Sequence, residues 1–375
     1  GMRTTYSDTN IRARVVADMV SMIDFESAPL LRLLGVQNQG KFRFKTWPTT
    51  KPEWLEDNMA PLTSTLASGY STTQTTLTVA SNTGVYFRKN QILEIDSERF
   101  LVTSVSSDTV TVVYAYQGTT NASHGSGATV TIVSVAAPEG DDPVSGYTTQ
   151  LTNPFNYTQI ISEMVKSTRS AQRNSAYGVQ DQMAYQMGKL FSDDGKAGLL
   201  AQILARSFYK GVRYEDTTRN IRVMGGFDQF VTTNVAALGG VPLQRKDIED
   251  KIESIVNYGA QPDLLVCGSW AKRKITSFFE GSIKTERDES VGGAMIETIQ
   301  TDFGKHKVVF DWMSPRADVR IVSSSKCGWV EFDPFTLQEL AKVGDYEQAQ
   351  VVGEYSFVLM NEKAHAKITG ASTSA

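Results

Sequence analysis

NSAYGVQDQMAYQMGKLFSDDGKAGLLAQILARSFYKG, residues Asn174–Gly211, is the stretch around which the rest of the chain is organised. Its apolar residues recur at spacings of three and four, which places them on one face of a helix. A continuous helix over about residues 175–210 would be on the order of 50 Å long at ~1.5 Å per residue. The apolar positions are Val179, Met183, Met187, Leu190, Phe191, Leu199, Ile203, Leu204 and Phe208.

The middle of this stretch is its weak point, because Asp194 and Gly195 both disfavour the interior of a helix. Asn174 or Ser175 can cap the beginning of the helix, and Gly211 can end it. Two helices joined by a short turn are therefore the alternative, and the sequence leaves both open. Residues 156–168, NYTQIISEMVKST, alternate in a way that predicts a strand leading towards the helix.

The chain before the helix contains segments that are too short to bury their own apolar side chains. An amphipathic stretch within residues 1–39 leads to the leucine-rich sequence DFESAPLLRLLG. Residues 41–47, KFRFKTW, alternate aromatic with basic side chains, which predicts a half-exposed strand. Both segments must lie on the rest of the chain or on a neighbouring copy. The residues that we expect to contact another copy are Leu30, Leu31, Leu33, Leu34, Phe42, Phe44 and Trp47.

Residues 69–135 differ in composition from the rest, being rich in Thr, Ser, Val and Gly. Turn-type residues separate five short alternating runs, which predicts a small barrel or sandwich. The segment 117–127, QGTTNASHGSG, lacks the Lys-Ser/Thr pair of a phosphate-binding loop, so we interpret it as a long hairpin loop. The five runs are TTLTVAS, QILEIDS, RFLVTSVSS, TVTVVYAY and ATVTIVSV.

Helices and strands interleave in the last third of the chain, which predicts a mixed α/β domain. Residues 242–259 predict an amphipathic helix with three isoleucines on one face. Residues 262–268, PDLLVCG, predict a short buried strand, and a further helix is expected to begin near Ser269. We interpret residues 350–370 as a closing hairpin. The three isoleucines are Ile248, Ile252 and Ile255.

The bulk composition is that of an ordinary globular protein. The chain has 375 residues with a formal net charge of -4, which gives no global basic signal for nucleic acid or an anionic membrane. Its length predicts more than one domain. It has no apolar run of ~18 residues and no signal peptide, so we expect a cytoplasmic product. Cys267 and Cys327 lie among apolar residues, which predicts buried free thiols.

No catalytic constellation or nucleotide-binding motif occurs in the sequence. Asp141 and Asp142 are adjacent carboxylates without further ligands, which does not predict a metal site. We interpret His306 as part of a solvated hairpin turn rather than a phosphate contact. The basic run at 269–279, SWAKRKITSFF, is interpreted as a helix surface over an apolar underside rather than a nucleic-acid patch. We therefore expect no catalytic residue, no cofactor and no metal.

Four segments, taken in their order along the chain, resemble the tailed-phage major capsid proteins of the Hong Kong phage 97-type (Johnson) fold. More narrowly, the chain looks like the branch of prophage major head proteins that carries a β-domain inserted in the extended loop. The segment from Gln91 to Val133 is similar to a small β-module of phage structural proteins. The four segments are DFESAPLLRLLG, NPFNYTQIISEMVKSTRSAQ with the helix that follows it, PDLLVCGSWAKRKITSFF and VVGEYSFVLMNEKAHAKITG.

The resemblance implies an α+β protein with a long spine helix, a mixed α/β axial domain and a small inserted all-β domain. It also implies a peripheral sheet built from a strand before the spine helix and from the end of the chain. The implied boundaries are 1–39 for the N-terminal arm, 40–68 and 136–152 for the extended loop, 69–135 for the inserted β-domain, 153–220 and 346–375 for the peripheral domain, and 221–345 for the axial domain.

The function that this resemblance implies is structural. The chain would self-assemble through pentamers and hexamers into the icosahedral head of a phage or prophage, enclosing double-stranded DNA. Its partners would be copies of itself, the portal, scaffold or protease of the phage, and packaged DNA bound without sequence specificity, with no membrane. It would reside in the virion capsid, and in the host cytoplasm during assembly.

Three alternatives remain open at this point. The first is another phage structural component, such as a tail or head–tail adaptor protein, because the β-module occurs in several of those. The second is an encapsulin-like shell, which shares the fold. The third is an enzyme, such as a hydrolase that uses Asp141, Asp142 or His306.

Overall fold

The fold is taken from a computed structural model that describes residues 48–140, 142, 144, 151–174, 181–190, 198–278, 283–287 and 295–373. The chain divides into two compact units. One unit, called the barrel unit below, comprises Leu55–Asn153. The other, called the main unit, comprises the described residues outside that range. The barrel unit covers a longer stretch of the chain than the expected insert at 69–135.

The barrel unit contains six short strands in one antiparallel sheet of order β1-β6-β3-β4-β5-β2. Its two edge strands are joined by hydrogen bonds from Ala67 N to Thr78 O and from Ala80 N to Thr65 O, each 2.8 Å long. The sheet therefore closes on itself as a small barrel. The strands are β1 (Thr63–Thr65), β2 (Thr76–Thr78), β3 (Gln91–Ile95), β4 (Glu98–Ser106), β5 (Thr109–Val113) and β6 (Thr129–Val135).

The alternating runs of the sequence form strands that turn one set of alternate residues into the barrel, most clearly in β2, β4 and β5. Phe100 and Val102 of β4, for example, are buried, while Arg99 and Leu101 between them are partly exposed. All five predicted runs contain a strand, and the sequence reading missed only β1. The interior is formed by Leu66, Tyr70, Leu77, Val79, Phe87, Leu93, Ile95, Phe100, Val102, Val110, Val112 and Val130.

The prediction of a hairpin loop at 117–127 is wrong. β5 pairs with β2 and β4, whereas β6 pairs with β1 and β3, so the segment crosses between strands that are not neighbours. Its path is fixed by the buried carboxylate of Glu98, which accepts hydrogen bonds from Ala115 N at 3.0 Å and Ala122 N at 2.9 Å. Glycine and polar residues indicated a loop, but they did not reveal this long-range anchor.

The main unit carries the remaining elements, which mix helices and strands as predicted. They are β7 (Gln159–Thr168), α1 (Arg169–Arg173), α2 (Gln182–Leu190), α3 (Leu199–Lys210), β8 (Tyr214–Asp216), β9 (Ile221–Val223), α4 (Phe227–Phe230), β10 (Val235–Ala237), α5 (Arg245–Asn257), β11 (Leu264–Cys267), α6 (Ser269–Phe278), β12 (Ile283–Arg287), β13 (Met295–Thr301), β14 (Gly304–Phe310), β15 (Val319–Val322), β16 (Cys327–Leu340), β17 (Tyr346–Leu359) and β18 (Ala366–Thr369).

These strands form a seven-stranded sheet of order β10-β18-β15-β11-β14-β13-β12, a three-stranded sheet of order β16-β17-β7, and the two-stranded pair β8–β9. In the larger sheet β11 runs parallel to β14 and antiparallel to β15, so the sheet is mixed. In the three-stranded sheet β7, which precedes the helices, pairs with β17 near the end of the chain. This is the pairing that the resemblance implied for a peripheral sheet.

The prediction of a closing hairpin at 350–370 is wrong. β17 pairs with β16 and β7, whereas β18 pairs with β10 and β15 in the other sheet. The apolar side chains of the two strands enter different cores, since Phe357 packs with Phe208 and Ile368 packs with Ile252. Alternation shows that each strand has a buried face, but it carries no information about which sheet the strand joins. The boundary implied at residue 346 falls between β16 and β17, which pair with each other in the three-stranded sheet.

The predicted long helix is described in two parts, α2 and α3. Met183, Met187 and Leu190 of α2 and Leu204 and Phe208 of α3 pack into one core with the three-stranded sheet, as their spacing predicted. Residues 175–180 and 191–197 lie outside the described part. Continuity of the helix at Asp194 and Gly195 therefore stays a prediction.

The helix α5 and the strand β11 agree with the sequence reading. Ile248, Ile252 and Ile255 are fully buried in a second core under the seven-stranded sheet. All four residues of β11 are buried, because this strand lies in the middle of the sheet with a core on each face. Both cysteines are buried free thiols, as predicted.

A buried ion pair joins the seven-stranded sheet to the helices of the first core. The side chain of Arg320 in β15 is fully buried, and its Nε and Nη2 donate to Asp228 Oδ1 at 2.9 Å and Oδ2 at 2.8 Å. Lys210, the last residue of α3, places its Nζ 2.8 Å from Asp228 Oδ2. The guanidinium carbon of Arg320 also lies 4.6 Å from the ring centre of Tyr209.

The carboxyl of Asp228 is ionised by these neighbours. Burial by itself would raise the pKa of Asp228, but the hydrogen bonds and charges of Arg320 and Lys210 outweigh it and hold the pKa below its ordinary value of 3.8. A carboxyl with a lowered pKa stabilises the fold at higher pH and loses that contribution as the pH falls through its folded-state pKa.

We expect Asp228→Asn to lower the free energy of unfolding at pH 7 by about 1.5–3 kcal/mol, because the buried Arg320 loses the nearer of its two carboxylate partners and keeps Asp318 Oδ2 at 3.3 Å. The difference from the unsubstituted chain should shrink as the pH falls below 3.8, since Asp228 then also becomes neutral. Urea denaturation of the unassembled chain at several pH values measures both effects.

Asp250→Asn, at an exposed position of α5, is the matched control and should change the free energy of unfolding by less than about 0.5 kcal/mol. Equal stability of Asp228→Asn and Asp250→Asn at pH 7 would contradict the role given to the ion pair.

Candidate functional site

One side of β7 is open for most of its length in the described part of the chain. The residues just before β7 are paired on that side with an earlier segment, through hydrogen bonds from Asn156 N to Pro52 O and from Thr158 N to Thr50 O, each 3.0 Å long. Glu53 and Phe155 form an antiparallel bridge in the same register. Beyond Thr158 the ladder stops, and among the described strands only β17 pairs with β7.

The side chains of β7 are apolar on both faces, which is unusual for a strand with an open side. Ile161 and Val165 are buried against the helices, while Ile160 is 57% exposed and Met164 is 48% exposed. A cleft of about 460 Å³ is lined by residues 164–168 of β7 together with Ala171, Gln182 and Gln186. The open side of residues 161–168, with this cleft, is called the β7 edge below.

A second exposed apolar surface lies on the β8–β9 pair. Glu215 and Arg222 form one face of the pair, and Arg222 Nη2 lies 3.1 Å from Glu354 Oε1 on β17. Tyr214 and Ile221 belong to the other face and are 60% and 49% exposed. The ion pair between Arg222 and Glu354 thus holds the two strands against β17, while Tyr214 and Ile221 are exposed to solvent.

His124 in the barrel unit has the only described imidazole that lies between two carboxylates. Its Nδ1 is 2.7 Å from Asp96 Oδ2, and its Nε2 is 3.0 Å from Glu98 Oε2. Tyr70 stacks on the ring, and burial together with the charge of Glu98 raises the pKa of Tyr70 to about 12. Among the described residues no group of three or more His, Cys, Asp and Glu side chains is placed to hold a metal ion. The contacts of His124 with Asp96 and Glu98 therefore hold the segment 117–127 against the strands β3 and β4.

The interpretation of His306 as part of a solvated turn is wrong. His306 is buried, with Nδ1 2.9 Å from Pro262 O and Nε2 2.8 Å from Thr301 Oγ1. Burial lowers its pKa and favours the neutral ring. The turn itself lies three residues earlier, so the position falls inside β14, between β11 and β13. A single His between two lysines did not reveal that its side chain points inwards.

The other candidates of the sequence reading are distributed without forming a common site. Asp142 is exposed and Asp141 lies outside the described residues. In α6 Trp270 and Ile275 are buried while Arg273 is exposed, so the basic helix surface covers an apolar underside as interpreted. The seven expected intersubunit residues lie outside the described residues: Leu30, Leu31, Leu33, Leu34, Phe42, Phe44 and Trp47.

Neither the β7 edge nor the buried Arg320 was predicted from the sequence, although a sequence pattern indicates each of them. Adjacent apolar pairs, Ile160 with Ile161 and Met164 with Val165, place apolar side chains on both faces of a strand. Arg320 stands alone in the apolar run VRIV, which indicates a buried charge with a partner elsewhere. Among the described residues no helix is both long enough and apolar enough to cross a membrane.

Comparison with known proteins gives the chain its family. The model of the SU10 major capsid protein family matches residues 3–372, almost the whole chain. No curated protein matches the chain.

Several solved structures share the fold at low sequence identity. A structure from Mycobacterium phage Cain has a TM-score of 0.51 at 10% identity, covering 100% of both chains. The capsid of the native GTA particle has a TM-score of 0.51 at 9% identity, covering 99% of this chain and 100% of that one. A structure from Mycobacterium phage Adephagia has a TM-score of 0.50 at 11% identity, covering 98% of each chain. At such identities the likeness concerns the fold alone, which is capsid-like with mixed α/β content.

With the family match over residues 3–372, it follows that the chain belongs to the SU10 major capsid protein family and is a structural protein of the phage head.

Proposed function

We propose that copies of this chain assemble through pentamers and hexamers into an icosahedral phage or prophage head that encloses double-stranded DNA. The observation that carries the proposal is the family match along residues 3–372, which leaves almost no part of the chain for another role. The portal, scaffold or protease of the same phage would be its partners during assembly in the host cytoplasm. A net charge of -4 fits the enclosure of DNA without sequence-specific binding.

The layout of the Johnson fold is part of this proposal. The spine helix spans about residues 175–210, and the extended loop, formed by 40–68 and 136–152, carries an inserted β-domain at 69–135. Support comes from the barrel unit, since β2 to β6 fall within the proposed insert. The axial domain at 221–345 and the peripheral domain at 153–220 and 346–375 complete the layout.

A structural role is supported by the family match along residues 3–372. Two side chains of the main unit that are often reactive elsewhere, His365 and Cys327, are fully buried. Burial lowers the pKa of His365 to about 3, so its ring is neutral and out of reach of solvent. Burial likewise raises the pKa of the Cys327 thiol, which keeps it protonated and unreactive.

Contacts between copies are proposed at the arm and at the strand that follows it. An arm with four leucines and a strand with two phenylalanines are costly to leave in water, at ~25 cal/mol per Å² of apolar surface. Many modest contacts of this kind, repeated by symmetry, would hold a closed shell together. The proposed contact residues are Leu30, Leu31, Leu33, Leu34, Phe42, Phe44 and Trp47.

We expect the purified full chain to form closed shells with five-fold and six-fold clusters when protein concentration and salt are raised. Electron microscopy of the assembled fraction shows this directly. A chain that remains monomeric under every assembly condition, with or without co-expressed head proteins, would contradict the proposal.

We expect Leu30→Ser combined with Leu31→Ser to reduce shell formation strongly while leaving the thermal unfolding of the unassembled chain unchanged. The reason is that these leucines are proposed to be buried only between copies. Val343→Ser, which removes an apolar side chain that is 81% exposed, is the control and should assemble normally. Normal shells from the leucine variant would show that the arm is not a major contact.

A further inference from the structure

The imidazole of His124 in the barrel unit is in contact with a carboxylate at each of its two nitrogens. The ring is buried, with Nδ1 2.7 Å from Asp96 Oδ2 and Nε2 3.0 Å from Glu98 Oε2. An ionised carboxylate can only accept hydrogen bonds, so each ring nitrogen must supply a proton. A neutral imidazole has one N–H and an imidazolium has two. Only the charged ring therefore donates to both carboxylates at once.

The surroundings of Glu98 favour a charged ring beside it. Glu98 Oε1 accepts a hydrogen bond from Ala115 N at 3.0 Å, and Oε2 accepts one from Ala122 N at 2.9 Å. Donors at both oxygens stabilise the ionised carboxylate, and an ionised group in the interior needs a counter-charge. In the described part of the chain no lysine or arginine forms an ion pair with Glu98, so His124 is the side chain that can supply this charge.

The other aromatic and charged groups around the ring keep their charge when that of the imidazole changes. Tyr70 stacks on the ring and Phe100 meets it edge-on, each with centroids 5.9 Å away. The Tyr70 hydroxyl donates to Gln74 O at 3.0 Å, and its pKa, raised to about 12, keeps it neutral well above pH 9. Asp96 is 68% exposed in its side chain and remains in contact with water.

The other two histidines of the chain do not have this arrangement. Burial lowers the pKa of His306, and it lowers the pKa of His365 to about 3. Both rings are therefore neutral at pH 7, and the partners of His306 are the uncharged Pro262 O and Thr301 Oγ1. A change of imidazole charge near neutral pH is thus expected at His124.

We propose that His124 is a proton-dependent clasp, which holds residues 115–127 through Asp96 and Glu98 when the ring has two protons and releases one of these contacts when it has one. The direction follows from linkage. A proton that the folded barrel binds more tightly than the unfolded chain adds stability at low pH, and this contribution is lost as the pH rises and the proton leaves.

The contact that the neutral ring gives up is the one with Asp96. Glu98 is buried and also holds Ala115 and Ala122, whereas water can take the place of the ring at the exposed carboxylate of Asp96. His124 itself stays attached through two backbone hydrogen bonds with Tyr70, of 2.8 and 3.0 Å. A rise in pH therefore loosens residues 115–127 while the barrel remains folded.

Hydrogen exchange of the full chain, read by mass spectrometry on peptides that cover residues 115–127, measures the clasp. The quantity compared is the protection factor, which divides out the pH dependence of exchange in an unstructured peptide. We expect protection in the unsubstituted chain to fall about three- to fivefold from about pH 5.5, where Asp96 is still ionised, to about pH 9.

Asp96→Asn removes one carboxylate and keeps the turn, because asparagine tolerates the positive φ of 52° at this position. We expect its protection at pH 5.5 to be as low as that of the unsubstituted chain at pH 9. Glu94→Gln is the matched control, since Glu94 pairs with Arg99 and does not contact the ring. It should follow the unsubstituted chain at every pH.

His124→Gln has no second proton to lose, so its protection factor should not fall between pH 5.5 and pH 9. A fall that persists in this variant would overturn the inference, and so would an unsubstituted chain whose protection does not change with pH. Asp96→Asn that matches Glu94→Gln at every pH would also overturn it. All contacts lie within one chain, so these outcomes are independent of whether the chain forms shells.

Discussion

A guanidinium that has no contact with water must find its counter-charges inside the protein. Arg320 does so through Asp228 of α4, with Lys210 at the end of α3 beside the same carboxylate. Alternation along β15 turns Arg320 and Val322 towards these helices, while Val319 and Ile321 face the core under α5. The seven-stranded sheet therefore packs against one hydrophobic core on each of its two faces. The ion pair fixes the position of the α3–α4 corner on the sheet, which apolar contacts alone specify less sharply.

Local patterns in the sequence were enough to predict the elements that bury a single face. Ile248, Ile252 and Ile255 fall on one side of α5 because the period of a helix is a property of the segment itself. The barrel strands were predicted for the same reason. The partners of strands depend on residues far away in the chain, and so the sequence did not show that β17 and β18 join different sheets or that His306 lies inside one.

The candidate site was harder to predict than the fold, for a related reason. An arm and a strand at 41–47 were predicted because their apolar residues have no obvious core within the segment, and both stay predictions. The β7 edge has no signature of its own in the sequence beyond two adjacent apolar pairs. Whether a strand has an open side is decided by what distant parts of the chain leave uncovered, which the pattern of the strand itself does not record.

The open strand β7 also carries charged side chains, which reduce its tendency to pair with strands of unrelated sheets. Glu163 and Lys166 interrupt the apolar residues of β7, and charges on an edge strand disfavour indiscriminate pairing with other sheets.

The barrel unit begins and ends at a single point of the chain, since Glu56 and Thr152 form an antiparallel bridge with two hydrogen bonds of 2.9 Å. Two chain ends held this close make the roughly hundred residues between them exchangeable as a block, because domains whose termini lie together tolerate transplantation. A foreign domain with neighbouring termini satisfies the same geometric condition at this place. The pair at 56 and 152 is thus a place at which a different domain could replace the barrel without a change in the course of the flanking chain.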